Sequence, residues 1–466
     1  MIQAFHYPGL GNSSYLVVDE ASGSAAVVDP QRDIDQYLHT AARLGARITH
    51  AFETHVHNDF ISGGRQLAER HGAALVASAD AGLMFPHLGV HDGDVVRVGD
   101  RLRFRVLATP GHTPEHVSYL LEGDEGPATL FSGGALLVGT IARTDLLGQE
   151  HAPGLARQAW ATLQQRLLRL PEATRVLPTH GGGSFCASGA GDAPETTIGA
   201  EKQRNRFAAL VEPEVFVRAA LEGLPRYPAY FARMRSLNQR GAPLLDQLPE
   251  LPPLAAQAVR ALLERGAELI DTRSHVAFVS GHVPGSLAIP LEPPFSQWIG
   301  WLVPPERPLV FVLESERARE QVARELIRIG YDDLRGHLEG GVEAWRAAGL
   351  PVAATMVVPI QELERLRTEH PELAVLDVRW DDEWQAGHLS GAWHLALPDL
   401  PARAHALPHG QPLAVHCAHR FRSTIAVSLL ERVGLGPLYH LDGGVNGWQA
   451  AGGRLEREAD AAALSG

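Results

Sequence analysis

The chain has 466 residues, too many for one ordinary hydrophobic core, which predicts two to four domains. Hydrophobic residues make up 45% and charged residues 20%, as in globular proteins, and the net charge of −13 argues against nucleic acid as a partner. The two cysteines exclude a disulfide framework and suit a reducing compartment.

The N-terminal segment MIQAFHYPGLGNSSYLVVDE has no basic region followed by an apolar stretch, so no secretory signal is predicted. No run of about 18 apolar residues occurs, so no membrane span is predicted either. We therefore expect a cytoplasmic protein. The composition leaves homo-oligomerisation open.

The first half alternates short apolar runs with turns. Strands are predicted at SSYLVVD, SAAVVDP, ITHAFETH, AALVAS, LRFRVLATPG, ATLFSGG and TRVLPTHGG, and amphipathic helices at DIDQYLHTAARLGA, RQLAERHGA and LARQAWATLQQRLLRL. The many links from strand to turn to strand predict an α/β architecture with partly antiparallel or mixed sheets.

The pattern changes near residue 202, where two segments predict helices without strand partners. The proline-rich stretch LPELPPL then indicates a linker. Beyond it, three sequence blocks recur in the same order about 103 to 106 residues later, for example LEGGVEAWRAAGLPV and LDGGVNGWQAAGGRL. This predicts a duplicated domain, each copy a small parallel α/β sheet.

Three histidine-bearing segments of the first half each follow a predicted strand. The first is Thr54-His55-Val56-His57-Asn58-Asp59, the second contains His112 and the third contains His180. Neutral imidazoles suit zinc and iron, and a carboxylate adds a hard oxygen ligand. A lone histidine beside a glycine is usually a polar turn residue, but three such segments in order favour a metal site.

These motifs, THVHND, PGHTPEH and LPTHGG, resemble those of the metallo-β-lactamase fold, and more closely those of the persulfide dioxygenases and the type II glyoxalases. The resemblance covers about the first 235 residues. It implies an αββα sandwich with a metal ion at one edge of two packed sheets. It further implies one bound metal ion, with iron favoured and zinc as the alternative.

Two positions depart from the family pattern. Phe60 stands where the family has a histidine after the aspartate, and Gly134 stands in the FSGG segment where the family has its acidic ligand. A two-histidine, one-carboxylate iron site is therefore incomplete. His55, His57 and His112 remain as a candidate three-histidine site, and Asp59 and His180 are expected either to add to it or to support it from outside.

Three functions of the metal domain stay open at this point. Iron with open positions supports oxidation of a low-molecular-weight persulfide, zinc supports thioester hydrolysis, and a silent domain would keep only a binding role. By resemblance, Arg143 and Thr144 would hold the anionic tail of a thiol cofactor, with a salt-bridged loop arginine as the alternative. Cys186 lies close after His180 and is expected either near the site or as an inert buried thiol.

The second repeat carries the strand LAVH, then Cys417, and a helix that begins near Ser423. A loop between a strand end and a helix N-terminus stabilises an anion through its N–H groups, and Arg420, Arg422 and His419 add positive charge. This environment favours a reactive thiolate over a structural cysteine.

The second repeat resembles the rhodanese family through LDVRWDDEWQAGHLSGAWHL, the loop CAHRFRS and the closing motif LDGGVNGW. One departure is Arg420, where many members have glycine. In the first repeat, alignment places Leu313 opposite Cys417, Glu316 opposite Arg420 and Ala318 opposite Arg422. The first copy is therefore expected to be inactive, as a scaffold, spacing or docking domain.

Together these features predict an αββα metallo-β-lactamase-type sandwich followed by two small parallel α/β rhodanese-type domains. The expected boundaries are 1–235 for the metal domain with its helical extension, 236–254 for a linker, 255–355 for the inactive copy and 356–460 for the active copy. The order resembles persulfide dioxygenase–rhodanese fusions, and implies a small-molecule thiol persulfide and a sulfur acceptor as substrates. Fusion of the two domains would raise the effective concentration of a shared intermediate.

Overall fold

The structure is a computed structural model that describes residues 1–122, 126–187 and 189–457. The chain divides into two compact units. Unit 1 comprises Met1–Leu248 with Arg324–Asp332, and unit 2 comprises Pro249–Ala323 with the residues from Asp333 onward. Within the described ranges, no helix combines the length and the hydropathy needed to cross a membrane.

Unit 1 contains two six-stranded sheets, each with its strands in sequential order. The first sheet consists of β1 (Ile2–Tyr7), β2 (Asn12–Asp19), β3 (Ser24–Val28), β4 (Arg47–Phe52), β5 (Ala74–Ser78) and β6 (Leu88–Val90). The second consists of β7 (Val95–Val98), β8 (Leu102–Ala108), β9 (Val117–Glu122), β10 (Thr129–Gly133), β11 (Arg175–Pro178) and β12 (Thr196–Thr197).

Both sheets are mixed, as predicted. In the first sheet, β1 to β3 pair antiparallel and β3 to β6 pair parallel. In the second, β10 and β11 pair parallel while the other neighbours are antiparallel.

A shared apolar core joins the inner faces of the two sheets. The ring of Phe52 on β4 lies 4.6 Å from that of Phe104 on β8 and 4.9 Å from that of Tyr119 on β9, measured between centroids. All three side chains are fully buried. Such aromatic contacts add to the hydrophobic gain of burial, so the core fixes the relative position of the strand ends.

The α-helices of the described part of unit 1 are α1 (Asp35–Arg43), α2 (Gly64–His71), α3 (Ala152–Ala161), α4 (Ile198–Arg204), α5 (Pro213–Leu221) and α6 (Phe231–Arg240). Local sequence explains their ends: α1 has an acidic first turn and a basic last turn, α2 stops at the left-handed Gly72, and α5 opens on a proline. Helix α6 spans the boundary that the sequence placed at residue 235, and unit 1 continues to Leu248.

Unit 2 contains two five-stranded sheets that are parallel throughout. The first repeat forms β13 (Pro253–Leu254), β14 (Glu268–Asp271), β15 (Leu287–Ala288), β16 (Leu309–Val312) and β17 (Leu334–Leu338). The second repeat forms β18 (Met356–Pro359), β19 (Ala374–Asp377), β20 (Trp393–His394), β21 (Leu413–His416) and β22 (Leu438–Asp442). The strand β13 lies within the segment that the sequence assigned to a linker.

The two repeats have equivalent strand orders, β13-β17-β16-β14-β15 and β18-β22-β21-β19-β20. Their helices are α7 (Ala256–Glu264), α8 (His275–Ser280), α9 (Phe295–Leu302), α10 (Ala318–Arg328) and α11 (Gly341–Ala347) in the first, and α12 (Leu363–Glu369), α13 (Asp381–Ala386), α14 (Leu400–Arg403), α15 (Phe421–Arg432) and α16 (Gly444–Ala450) in the second. The duplication and the parallel sheets are confirmed. Residues 458–460 of the predicted active copy lie outside the described residues.

Candidate functional sites in the two units

The histidine-bearing segments of unit 1 all follow strand ends. His55, His57 and Asp59 follow β4, His112 follows β8 and His180 follows β11. All five side chains are buried. The sandwich therefore brings together the five residues that the sequence suggested as metal ligands.

These residues form two overlapping groups. One ligand atom from each of His55, His112 and His180 lies within 4.8 Å of the other two, and the same holds for His57, Asp59 and His180. Since both groups contain His180, the geometry gives this residue a more central place than the sequence did.

Several ligand atoms of this cluster have no hydrogen-bond partner among the described atoms. They are His57 Nδ1, His112 Nε2 and Asp59 Oδ1, each fully buried. In addition, the Nε2 atoms of His55 and His180 lie 3.4 Å apart. Buried polar atoms normally find partners, so a convergent set without them fits a metal ion.

Contacts on the outer side of each ring fix its orientation. His112 Nδ1 lies 2.6 Å from the Arg143 carbonyl oxygen, and His55 Nδ1 lies 2.9 Å from Thr54 Oγ1. On His180, Nδ1 lies 3.3 Å from an Asp59 carboxylate oxygen. A donor N–H on the far nitrogen leaves the other nitrogen with a free lone pair, as metal ligation requires.

Burial keeps two of these imidazoles neutral. It lowers the pKa of His112 to about 3, helped by the neighbouring His180, and it lowers the pKa of His55 well below its usual value. Asp59 behaves in the opposite way: burial would raise its pKa, but the contact with His180 holds it below the usual range. His55 and His112 thus present neutral nitrogens, and Asp59 presents an ionised carboxylate.

The ring of His57 is tied to two buried carboxylates on its other edge. Its Nε2 lies 3.1 Å from Glu53 Oε2 and 3.3 Å from Asp29 Oδ1. Burial alone would lower the pKa of His57, but Asp29 and Glu53 raise it to about 10. Nε2 donates to these carboxylates, which leaves Nδ1 on the side of the cluster. A metal ion bound to Nδ1 would take the place of the proton on that nitrogen.

Gly134, at the position expected for the family's acidic ligand, and the preceding Gly133 are both closely surrounded. A Cβ on Gly134 would lie 2.6 Å from His112 Cδ2, and a Cβ on Gly133, whose φ is +57°, would lie 2.5 Å from His116 Nε2. His116 Nε2 accepts the Gly134 N–H at 2.9 Å, while its Nδ1 lies 2.8 Å from Thr109 Oγ1. His116 therefore holds this turn in place, with both ring nitrogens engaged.

A cavity of about 40 Å³ adjoins this cluster. It is bordered by His55, His57 and Glu53 and by apolar side chains that include Leu75 and Phe85. A pocket beside convergent polar groups is a candidate binding site.

The predicted anion-binding pair Arg143 and Thr144 is buried. The Arg143 guanidinium donates to both oxygens of Asp145 and to the carbonyls of Phe185 and Pro225. This arrangement matches the salt-bridged loop arginine that the sequence left as the alternative.

Cys186 is fully buried. Burial and the nearby Asp59 carboxylate raise the pKa of its thiol well above the usual value. The thiol therefore lies next to the cluster and is held protonated.

In unit 2, Cys417 follows β21 directly and α15 begins four residues later. Its side chain is buried, and Sγ lies 3.4 Å from Ser423 Oγ in the first turn of α15. The loop thus places the sulfur beside the N-terminal end of a helix, where the free N–H groups favour an anion.

The three basic side chains of the loop differ in their surroundings. Arg422 forms a bidentate ion pair with Glu383 on α13. Burial would lower the pKa of Arg422, but Glu383 and Cys417 raise it. Arg420 is half-exposed and lies 3.4 Å from Asp442, and His419 is exposed.

The glycine pair before α16 supports the loop. The N–H groups of Val445 and Asn446 donate to the carbonyls of Cys417 and Ala418 at 2.9 and 3.0 Å. A Cβ on Gly444, whose φ is +52°, would lie 2.2 Å from the Cys417 carbonyl oxygen. Because a trans peptide points its C=O and N–H in opposite directions, these contacts turn the loop N–H groups away from α16.

The register of the strands identifies the equivalent position in the first repeat. Val312 pairs with Asp271 as His416 pairs with Asp377, so Leu313 occupies the place of Cys417. Here Glu316 lies 2.9 Å from His337 Nε2. The loop of the first repeat therefore lacks the thiol, and Glu316 and Ala318 stand at the positions of Arg420 and Arg422.

Comparison with known families agrees with both sites. The model of the metallo-beta-lactamase superfamily matches residues 7–180, and the model of the rhodanese-like domain matches residues 255–348 and 360–451. A hydroxyacylglutathione hydrolase from Polaromonas is 31% identical over 258 residues, which is 49% of this chain and 95% of that protein. The chain belongs to the metallo-beta-lactamase superfamily and carries two rhodanese-like domains.

Two further proteins are similar to this one. A hydroxyacylglutathione hydrolase from Gloeobacter violaceus is 36% identical over 206 residues, or 44% of this chain and 69% of that protein. The crystal structure of a metallo-beta-lactamase from Staphylococcus aureus is 31% identical, with a TM-score of 0.66, and covers 72% of this chain and 98% of its own. The aligned 72% of this chain is longer than residues 7–180, which the metallo-beta-lactamase superfamily model matches.

Some residues of the metallo-beta-lactamase site were not predicted from the sequence. Asp29 and Glu53 hold His57, and His116 holds the glycine turn. Asp29 carried one usable signal, since it is an acidic residue at the end of the buried strand β3.

A methyl group at residue 134 tests the geometry of the metal cluster. We expect Gly134→Ala to displace the His112 ring, which the Arg143 carbonyl holds from the other side, and to weaken metal binding by about 10- to 100-fold. Gly154→Ala is the matched control, because a Cβ there has no neighbour within 4 Å. Metal titration of both variants decides the matter, and equal affinities would contradict this geometry.

The same substitution in the two rhodanese-like domains tests the support of the Cys417 loop. Gly444→Ala and Gly341→Ala place a Cβ at equivalent positions with φ of +52° and +61°, but only the former meets a loop carbonyl. We expect Gly444→Ala to lower the rate of Cys417 alkylation by about tenfold or more and Gly341→Ala to leave it near the wild-type rate. Equal rates in the two variants would rule out a specific role for this contact.

Proposed function

We propose that this protein is an enzyme of sulfane-sulfur metabolism in which Cys417 carries the sulfur as a persulfide. The observation that carries the proposal is the position of Cys417, between a parallel strand and a helix N-terminus and 3.4 Å from a hydroxyl group. A thiol in such a place is stabilised as the nucleophilic thiolate.

The transfer proceeds in two displacements. The Cys417 thiolate attacks the sulfane sulfur of a donor such as thiosulfate, the S–S bond of the donor breaks, and sulfite leaves with the electron pair. An acceptor thiolate then attacks the terminal sulfur of the Cys417 persulfide, and the Cys417 thiolate leaves. A small thiol, cyanide or sulfite fits the acceptor role.

The loop side chains have separate roles in this scheme. Ser423 contacts the sulfur directly. Arg422, fixed by Glu383, adds positive charge, and the exposed Arg420 and His419 meet an incoming anionic donor. The first rhodanese-like domain, with Leu313 at the equivalent position, forms no persulfide. For the domain extents we propose 1–235 for the metal domain, 236–254 for the linker, 255–355 for the inactive copy and 356–460 for the active copy.

For the metallo-beta-lactamase domain we propose oxidation of a low-molecular-weight persulfide. The balanced reaction consumes one persulfide, one O₂ and one water and releases one thiol and one sulfite. A bound iron ion would supply the binding of O₂ and of the persulfide sulfur. His55, His112 and His180 would supply nitrogen ligands, His57 and Asp59 lie beside them, and a pocket bordered by His55 and His57 adjoins the cluster.

Thioester hydrolysis is the second candidate for this domain. Two observations favour it: similar proteins are hydroxyacylglutathione hydrolases, and the convergent nitrogens of His55, His112 and His180 match the donors that zinc takes in hydrolytic sites. Gly134 removes the carboxylate that a mononuclear iron site of this kind uses. A domain that only binds a small thiol is the third outcome.

Sulfur transfer from thiosulfate tests the role of Cys417. We expect Cys417→Ser to abolish thiosulfate sulfurtransferase activity and to leave the metal content unchanged. Leu313→Cys in the same background should remain inactive, because Glu316 puts a negative charge in that loop. Full activity of Cys417→Ser, or rescue by Leu313→Cys, would overturn the assignment.

Metal replacement separates the candidate reactions of the first domain. We expect the protein loaded with Fe(II) to take up O₂ and form sulfite from glutathione persulfide, at equal molar amounts. Hydrolysis of S-lactoylglutathione by the zinc form would instead favour the hydrolase. His112→Ala should abolish either activity while leaving sulfur transfer by Cys417 intact. A metal-loaded protein with neither activity would contradict both and leave a binding domain.

A further inference from the structure

The hydroxyl of Ser423 has three polar neighbours within hydrogen-bonding distance. Its Oγ is 3.4 Å from Cys417 Sγ, 2.9 Å from His440 Nε2 and 3.1 Å from the Arg420 carbonyl oxygen. Ser423 and His440 are fully buried. A hydroxyl has one proton, so only one of these three neighbours can accept it.

His440 is a donor to this hydroxyl. Its Nε2 faces Ser423 Oγ and, at 3.5 Å, the Arg420 carbonyl oxygen, which can only accept. Its Nδ1 has no partner among the described atoms. An unsatisfied buried N–H costs more free energy than an unsatisfied nitrogen lone pair. The neutral ring therefore carries its proton on Nε2, which has acceptors, and not on Nδ1. Burial, with His275 nearby, lowers the pKa of His440 to about 3, so the ring stays neutral.

The Arg420 carbonyl is already occupied. It accepts the N–H of Thr424 at 3.0 Å and the hydroxyl of Thr424 at 2.7 Å, which uses both of its lone pairs. The remaining acceptor for the Ser423 proton is the sulfur of Cys417.

A second histidine holds Thr424 in this arrangement. His275 Nδ1 lies 2.7 Å from Thr424 Oγ1, and since the Thr424 proton goes to the carbonyl, His275 donates. The rings of His275 and His440 are 4.2 Å apart. His275 begins α8 and so belongs to the first rhodanese-like domain, the copy without a nucleophile.

We infer that His440 and His275 are positioning residues that aim the Ser423 hydroxyl at the Cys417 sulfur, so that the inactive copy completes the active site of the other. The inference rests on the proposed role of Cys417. A hydroxyl that donates to the sulfur stabilises its anionic form and thereby sets the fraction of reactive thiolate.

Other charged groups surround the loop, and a carboxylate oxygen of Asp442 also lies within 4.8 Å of a ring nitrogen of each of the two histidines. The charged groups are Arg420 with Asp442, Arg422 with Glu383, and His416 with Asp377. Because these residues are not changed in the variants below, a difference in Cys417 reactivity between variants is due to the substituted histidine.

The test is alkylation of Cys417 by iodoacetamide in the full-length protein, followed by mass spectrometry of the peptide that contains it. The readout is the ratio of the rates at pH 7 and at pH 10. We expect His440→Ala to lower this ratio by about tenfold, the usual size for loss of one hydrogen bond to a charged group. His440→Gln should restore it, because the glutamine amide can donate from the position of Nε2.

His337→Ala is the matched control. His337 occupies the position of His440 in the inactive copy, is equally buried, and contacts Glu316 there. Its ratio should equal that of the wild-type protein. If His440→Ala does not fold, His275→Ala decides instead, with an expected drop of about threefold that His275→Asn reverses through an amide donor.

Unchanged ratios in the alanine variants, or an equal drop in His337→Ala, would overturn the inference. Failure of the proposed function is recognised separately, since it would appear as sulfur transfer that survives Cys417→Ser whatever the alkylation ratios are.

Discussion

Asp29 is the buried charge around which the metal site of the first domain is organised. Its carboxylate accepts the Thr54 N–H at 2.7 Å and the hydroxyls of Thr54 and Thr179, and it lies 3.3 Å from His57 Nε2. These contacts tie the ends of β3, β4 and β11 together. Burial would raise the pKa of Asp29, yet His57 and these hydrogen bonds hold it below its usual value. The charge is stabilised only while all three strand ends stay in place.

In the second rhodanese-like domain, hydrogen bonds also hold the site in place, but the group that they position is the Cys417 loop and not a buried carboxylate. The Cys417 loop is held by two backbone hydrogen bonds from α16, and its side is closed by hydroxyl and imidazole donors. In both domains the reactive group follows a strand end, and the surrounding groups have already been fixed by packing. Such preorganisation lets each site hold charge without rearrangement.

Much of this organisation was predictable from the sequence because it depends on local pattern. The recurring blocks predicted two copies of one domain, and the strand registers of β16 and β21 bear out the alignment of Leu313 with Cys417. Short or edge strands such as β1, β6 and β7 were missed, because three to six partly exposed residues carry little periodic signal.

Contacts between distant segments could not be predicted in the same way. Asp29 and His57 are separated by one helix and one strand, and His275 and Thr424 lie in different copies. Neither pair follows a fixed sequence spacing from which the contact could be predicted. The anion site at Arg143 stays a prediction from a motif, and the structure adds that its guanidinium is ion-paired with Asp145, two residues away.

The central claim is that one cysteine of two carries sulfur for the whole chain. Incubation of the protein with thiosulfate, alkylation and digestion, followed by mass spectrometry of both cysteine-containing peptides, tests it most directly. We expect one added sulfur atom on the peptide that contains Cys417 and none on the peptide that contains Cys186, whose thiol is buried beside Asp59. Added sulfur on Cys186 with none on Cys417 would contradict it.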